Sequence, residues 1–161
     1  MAQLSHLDAE GRARMVDVTA KDITRRVAVA QGKILMRAET LAMIVEKRVA
    51  KGDVFSVARV AGIMGAKKTP DLIPMCHPLN ITSIEISLTP VKNPSRVEIE
   101  ATVKVTGQTG VEMEAMSAVA VAALTIYDMC KAVDREMTIG EIQLTKKSGG
   151  KSGTFSRKKS D

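Results

Sequence analysis

Aromatic side chains are nearly missing from this chain of 161 residues: it has no Trp, one Tyr and two Phe (Tyr127, Phe55 and Phe155). A core must therefore be assembled from Val, Ile, Leu, Met and Ala. Readers of single-stranded nucleic acid that stack bases on aromatic platforms are disfavoured. Cysteine is scarce too. Cys76 and Cys130 are too few for a disulfide scaffold and suit a reducing compartment. The opening MAQLSHLDAEGRARM carries no apolar run behind a basic one, so no signal peptide is expected. Ala115–Tyr127, the longest apolar stretch without a charge, falls short of the roughly 20 residues a membrane helix needs. These absences point to a soluble cytoplasmic protein with a single domain over residues 1–161.

What is present is an ordinary globular balance, 45% apolar and 26% charged, which argues against disorder. The formal charge of +6 is unevenly placed. In the basic, glycine-rich segment 146–161, Lys146, Lys147, Lys151, Arg157, Lys158 and Lys159 face only Asp161, so that segment carries +5 and residues 1–145 carry +1. The last five residues, RKKSD, read as a frayed, solvated terminus. Lys146–Gly153 reads differently, because lysines set among Gly149, Gly150 and Gly153 can bring ammonium groups and backbone N–H groups to one anion. Gly150-Lys151-Ser152 matches the end of a P-loop, but Thr145 stands where its first glycine is required, so that reading fails.

Alternation is the clearest structural signal. Ile84, Ile86 and Leu88 share one face of Ser83–Thr89, and Val97, Ile99, Ala101, Val103 and Val105 share one face of Arg96–Thr106. Both segments read as strands with one dry and one wet face, and Pro90–Pro94 between them reads as the turn of an antiparallel hairpin. Weaker strands are expected at 15–19, 26–35 and 137–145, the last kinked at Gly140. Helices are expected over 37–49, from a cap at Asp53 onward, and over 109–133, where Thr109 and Glu112 have the spacing of a capping box. The last helix is apolar nearly all round and should be buried. The fold class that follows is α+β: a ferredoxin-like antiparallel sheet with helices packed on one face, an extra N-terminal strand and a doubled first helix.

Several residues could carry chemistry. Asp128 and Lys131 stand three apart at the end of the buried helix and share a face. They are either an ordinary i, i+3 ion pair or a desolvated acid–base couple with shifted pKa values. His77 lies between Pro74 and Pro78, which restrict the backbone, so its ring is held in place for a turn hydrogen bond, a phosphate contact or a proton transfer. Glu112 is accounted for by its capping role, whereas Glu114 is free to meet a polar ligand edge. Lys51 and Arg26 read by default as solvated charges. A zinc site from Cys76, His77 and Cys130 lacks any ligand spacing, so no metal site is expected.

The runs KGDVFSVARVAGIMGAKKTPDLIPMCHPL (51–79), TGVEMEAMSAVAVAALTIYDMCKAV (109–133) and KSGGKSG (147–153) closely resemble the MoaC family, the cyclic pyranopterin monophosphate synthases of molybdenum cofactor biosynthesis. The resemblance spans roughly residues 3–155. It implies a lyase acting on 3′,8-cyclo-7,8-dihydroguanosine 5′-triphosphate with release of pyrophosphate. It also implies a homohexamer, a trimer of dimers with active sites at subunit interfaces. By the same resemblance Asp128 and Lys131 are the catalytic pair. Lys51, Met75, Cys76, His77, Glu112, Met113, Glu114 and Lys147 match substrate-pocket positions, and Arg26 does so more loosely. No cofactor held by the protein is implied, with Mg2+ allowed for as a companion of the substrate's triphosphate, and neither nucleic acid nor membrane is a partner. Two rivals from other classes are an RNA-binding module, since ferredoxin-like sheets with basic tails often bind RNA, and a regulatory nucleotide-binding domain without chemistry.

Overall fold

A computed structural model describes residue 8 and residues 10–158. The opening residues read for a signal peptide, and positions 159–161 of the tail, fall largely or wholly outside that range.

Five strands form one antiparallel sheet: β1 (Thr24–Leu35), β2 (Ile81–Val91), β3 (Arg96–Gly107), β4 (Thr138–Ser148) and β5 (Phe155–Ser156), in the order β2-β3-β1-β4-β5. The helices α1 (Ala38–Val45), α2 (Val54–Lys67), α3 (Thr69–Leu72) and α4 (Glu112–Cys130) complete the ferredoxin-like α+β arrangement, with α1 and α2 doubling the first helical position. The period of two in β3 is obeyed without exception: Val97, Ile99, Ala101, Val103 and Val105 are buried. Glu98 and Glu100 stand on the open face, where Gln31 donates to Glu100 at 2.6 Å.

Small residues let α4 lie close to the sheet and to α2. Ala28, Ala30 and Gly32 of β1 face Ala115, Ala118, Val119 and Ala122 of α4, all of them buried. A Cβ at Gly32 would stand 2.7 Å from Val119 Cγ1, and one at Gly65 would stand 2.8 Å from Val121 Cβ, so neither contact has room for a side chain. By length and composition α4 could cross a membrane, contrary to the reading from its charge-free stretch alone. Here it is the core helix, with its Ala-rich face buried against β1, β3, β4 and α2.

Several local expectations are corrected. Residues 15–19 form no strand; Val16 and Val18 line a cavity instead. The capping box at Thr109 does not form. α4 begins at Glu112, its N-cap Val111 makes no side-chain cap bond, and the Glu112 carboxylate is drawn to Lys147. Asp53 does cap α2, accepting from Ser56 N–H at 3.1 Å. Pro90 and Val91 belong to β2, an edge strand where proline is tolerated, rather than to the turn. α1 stops at Val45 and α4 at Cys130, both earlier than 49 and 133. The kink expected at Gly140 is a bulge beside it, with Glu141 in the left-handed region at φ 52°. β5 was not legible as a strand, and it places Arg157 against β4, so that the tail is not frayed there.

Candidate active site

The two ends of α4 carry two different clusters. At its N-terminal end a cavity of about 380 Å3 is lined by Met75, Cys76, His77, Thr109, Glu112, Met113, Glu114 and Lys21, with Val16, Val18 and Leu79 supplying apolar wall. The Ile73–Pro78 stretch brings three of these in sequence, and the ring of His77 is fixed by its Nε2, 2.8 Å from the carbonyl of Val16. Glu114 is buried, 3% exposed. Burial pushes its carboxyl above the ordinary range, and the charge of Glu112 adds to the rise. The Cys76 thiol is likewise raised, first by burial and then by Glu114. A carboxyl held in this way can accept from, or give a proton to, the N–H edge of a heterocycle.

Lys147 joins this cavity to the glycine loop. Its Nζ lies 3.2 Å from Glu112 Oε1 and donates to Ser152 Oγ at 2.8 Å. A bulge in β4 is what aims it there. Ala30 pairs with Leu144 and Val29 with Lys146, so Thr145 is an extra residue, and Lys147 comes to lie opposite the buried Ala28, on the helix side of the sheet. Arg26 is pinned by Nε and Nη2 donating to the carbonyls of Gly107 and Gln108, each at 3.0 Å. Gly150 packs on its guanidinium so closely that a Cβ there would stand 2.2 Å from Nη1. Lys21, Asp22, Thr24, Arg26, Gly150, Lys151 and Ser152 line a second cavity, of about 420 Å3, in which three cations face one carboxylate. Lys21 borders both cavities. Sequence reasoning missed it, because Ala20-Lys21-Asp22 has no motif or spacing to mark it.

At the C-terminal end of α4 the carboxylate of Asp128 holds two ammonium groups, Lys131 Nζ at 2.7 Å from Oδ1 and Lys51 Nζ at 2.9 Å from Oδ2. Lys51 also donates to the Asp128 carbonyl at 2.9 Å, as a cation at a helix C-terminus should. The Lys131 and Lys51 ammoniums hold the Asp128 carboxyl down at about 2. Asp128 in turn raises the Lys131 ammonium. The expected desolvation is absent from a single chain: the Asp128 and Lys131 side chains are 57% and 52% exposed. The last turn of α4 still buries Ile126, Met129 and Cys130, so Asp128 and Lys131 are exposed because they lie on the opposite face of the helix.

Within one chain, then, Met75, Cys76, His77, Glu112, Met113, Glu114, Lys147 and Arg26 gather near one end of α4, and Lys51, Asp128 and Lys131 at the other. From Glu112 to Asp128 the helix rises about 1.5 Å per residue, roughly 24 Å in all. Cys130, buried near the second cluster, is likewise remote from Cys76 and His77. Among the described residues no group of three or more His, Cys, Asp and Glu side chains is placed to hold a metal ion.

The MoaC family model matches residues 15–150. The chain belongs to the MoaC family. A cyclic pyranopterin monophosphate synthase of Pelotomaculum thermopropionicum is 65% identical over 158 residues, covering 98% of this chain and 93% of that protein. Proteins of the same name from Thermoanaerobacter sp. and Desulforapulum autotrophicum are 61% and 57% identical, covering 96% of this chain and 98% and 95% of theirs. The MoaC match ends at Gly150, so it includes both clusters at the ends of α4 together with Lys147, and leaves β5 outside.

Proposed function

We propose that the chain is a cyclic pyranopterin monophosphate synthase, a lyase of molybdenum cofactor biosynthesis. It converts 3′,8-cyclo-7,8-dihydroguanosine 5′-triphosphate to cyclic pyranopterin monophosphate and releases pyrophosphate. The observation that carries this reading is the pairing, on one helix, of a carboxylate-lined cavity beside a lysine–glycine loop with an exposed Lys51–Asp128–Lys131 cluster. The guanine-derived ring presents N–H groups, which Glu114 accepts. Its triphosphate, with about four negative charges, lies along Lys21, Arg26, Lys147 and the glycine loop, where charge-assisted hydrogen bonds are strongest. Met75, Cys76, His77 and Met113 shape the wall between them.

Ring opening and rebuilding require protons to be moved in both directions. Asp128, its carboxyl held at about 2, stays ionised near neutral pH and serves as the orienter of two ammonium groups. Lys131 is the proton donor. Closing the cyclic phosphate with departure of pyrophosphate needs alignment and charge stabilisation, which Lys51, His77 and Lys147 supply.

A complete pocket requires two copies, since the clusters are roughly 24 Å apart on one helix. We place Lys51, Asp128 and Lys131 of one subunit beside the cavity of its neighbour, in a cytoplasmic homohexamer built as a trimer of dimers. Exposed Val57, Val60 and Met64 along α2 and Leu124 on α4 supply apolar surface for such contacts. The reaction as proposed uses no cofactor held by the protein, any Mg2+ comes with the substrate's phosphates, and neither nucleic acid nor membrane takes part. Mass spectrometry after mixing the protein with the cyclised GTP substrate tests the reading. Equal amounts of cyclic pyranopterin monophosphate and pyrophosphate are expected, and substrate that is bound but unchanged would overturn it.

A further inference from the structure

After Gly150, where the family model ends, and within the 158 residues matched to the Pelotomaculum protein, lies a short structure that the proposed reaction does not itself explain. β5 pairs Phe155 with Lys147 and Ser156 with Lys146. One residue further, Arg157 N–H donates to the carbonyl of Thr145 at 2.8 Å and Arg157 Nε to that of Leu144 at 3.0 Å. Both acceptors sit at the β4 bulge that turns Lys147 toward the helices. The same pairing closes residues 148–154 into a hairpin loop, itself crossed by Gly153 N–H donating to the Gly150 carbonyl at 3.2 Å.

We propose that Phe155–Arg157 is a clip that fixes the β4 bulge and the glycine loop in the geometry that receives a triphosphate, with Arg157 as its positioning residue. This rests on the proposed function, in that the loop's anion is taken to be the substrate's triphosphate. Two observations separate the clip from a general contribution to the fold. Residues 151–158 are all exposed, Phe155 included, so the clip adds nothing to the core. Its contacts converge on the strand and loop that carry Lys147 and Ser152 rather than on the helices. Holding a loop closed before the ligand arrives lowers the ordering cost of binding, and that acts on affinity, not on the chemical step.

Graded substitutions separate the contacts. Arg157→Ala removes only the guanidinium bond to Leu144, whereas Arg157→Pro also removes the N–H bonded to Thr145, at a site whose preceding residue is already extended. Losing one or two ordinary hydrogen bonds in the loop's support predicts a KM for substrate, and a Kd for inorganic tripolyphosphate, raised about threefold in Arg157→Ala and about tenfold in Arg157→Pro. In both, kcat is expected within about twofold of the parent and Tm within about 2 °C, and Arg157→Lys is expected to recover part of the loss. Backbone hydrogen exchange across 147–153, measured without ligand, is expected to accelerate in Arg157→Pro. Unchanged tripolyphosphate affinity in Arg157→Pro would overturn the clip's role, as would a fall in kcat that tracks a fall in Tm. If exchange accelerates but the parent protein binds no tripolyphosphate, the functional reading falls, and the role given to the clip falls with it.

Discussion

Replacing Lys147 by alanine tests the anion reading where its geometry is most explicit. The ammonium rests 3.2 Å from Glu112 Oε1 and 2.8 Å from Ser152 Oγ, one quarter exposed, between the carboxylate cavity and the glycine loop. A hydrogen bond to a charged phosphate is worth about 1.5–3 kcal/mol. Lys147 must loosen its hold on Glu112 to make it, so the lower half of that range applies, which is roughly 10- to 40-fold in affinity. Lys147→Ala also leaves Glu112 without its cation beside Glu114, so the pocket gains a net negative charge facing an anionic ligand. The expected result is a KM raised roughly 10- to 40-fold with kcat changed by less than about threefold, and a weaker dependence of tripolyphosphate affinity on salt. Adding Glu112→Gln removes the stranded carboxylate and should recover part of the loss, because residues in contact couple by about 0.5–3 kcal/mol. Initial rates with the cyclised GTP substrate and titration with tripolyphosphate at two salt concentrations measure both. A KM within twofold of the parent in Lys147→Ala would refute the reasoning.

Asp128→Asn releases the proton donor Lys131 from its orienter and should lower kcat by up to about 10²- to 10⁴-fold, the span for losing general acid–base catalysis, with KM little changed. Because the Asp128 carboxyl is depressed to about 2, the stability its ion pairs provide is present above pH 4 and is lost as pH falls toward 2. Any Tm deficit of the Asn variant, small because the pair is exposed, should therefore shrink across that window. Glu114 has the opposite sign: its carboxyl is raised by burial, so the ionised form weakens the fold as pH climbs above its unfolded value of 4.5. Glu114→Gln should raise Tm relative to the parent at pH 8 more than at pH 4, while impairing turnover. Gly65→Val would drive a side chain into Val121 of α4, and overpacking of about 1–3 kcal/mol should lower Tm by roughly 2–10 °C in thermal melts.

The parts of the fold legible in the sequence are those governed by one local rule. Alternation over Arg96–Thr106 gives β3 almost to the residue, and Asp53 caps α2 with Oδ1 while Lys47 takes Oδ2, so its second partner does not displace Ser56 N–H. Legibility ends where a second partner prevails. Glu112 has capping-box spacing, but Lys147, far away in sequence, takes its carboxylate. Residues 15–19 carry strand-like valines, yet the carbonyl of Val16 is used by His77 and its side chain by the cavity. The bulge at Thr145 cannot be read from composition, because one extra residue in a strand leaves the apolar pattern intact while turning every later side chain to the other face.

The same limit applies to the site. The motif residues, and the placing of Glu112 and Asp128 at opposite ends of one helix, are plain in the sequence, but which end Lys51, His77 and Lys147 join is visible only in the fold. The exposure of Asp128 and Lys131 follows from the face they share, opposite the buried Ile126, Met129 and Cys130, and the apolar run before them does not reveal which face of its last turn meets the core.

The claim on which the account rests is that each working pocket draws its carboxylate cavity from one copy and its Lys51–Asp128–Lys131 cluster from another. Mixing equal amounts of two inactive variants, Asp128→Asn and Glu114→Ala, under conditions that let subunits exchange measures this directly. Half the resulting dimers would be mixed and each would hold one intact site of two, so about a quarter of the parent activity should return. No activity above that of the separate variants, from a mixture shown to contain both chains in one assembly, would contradict it.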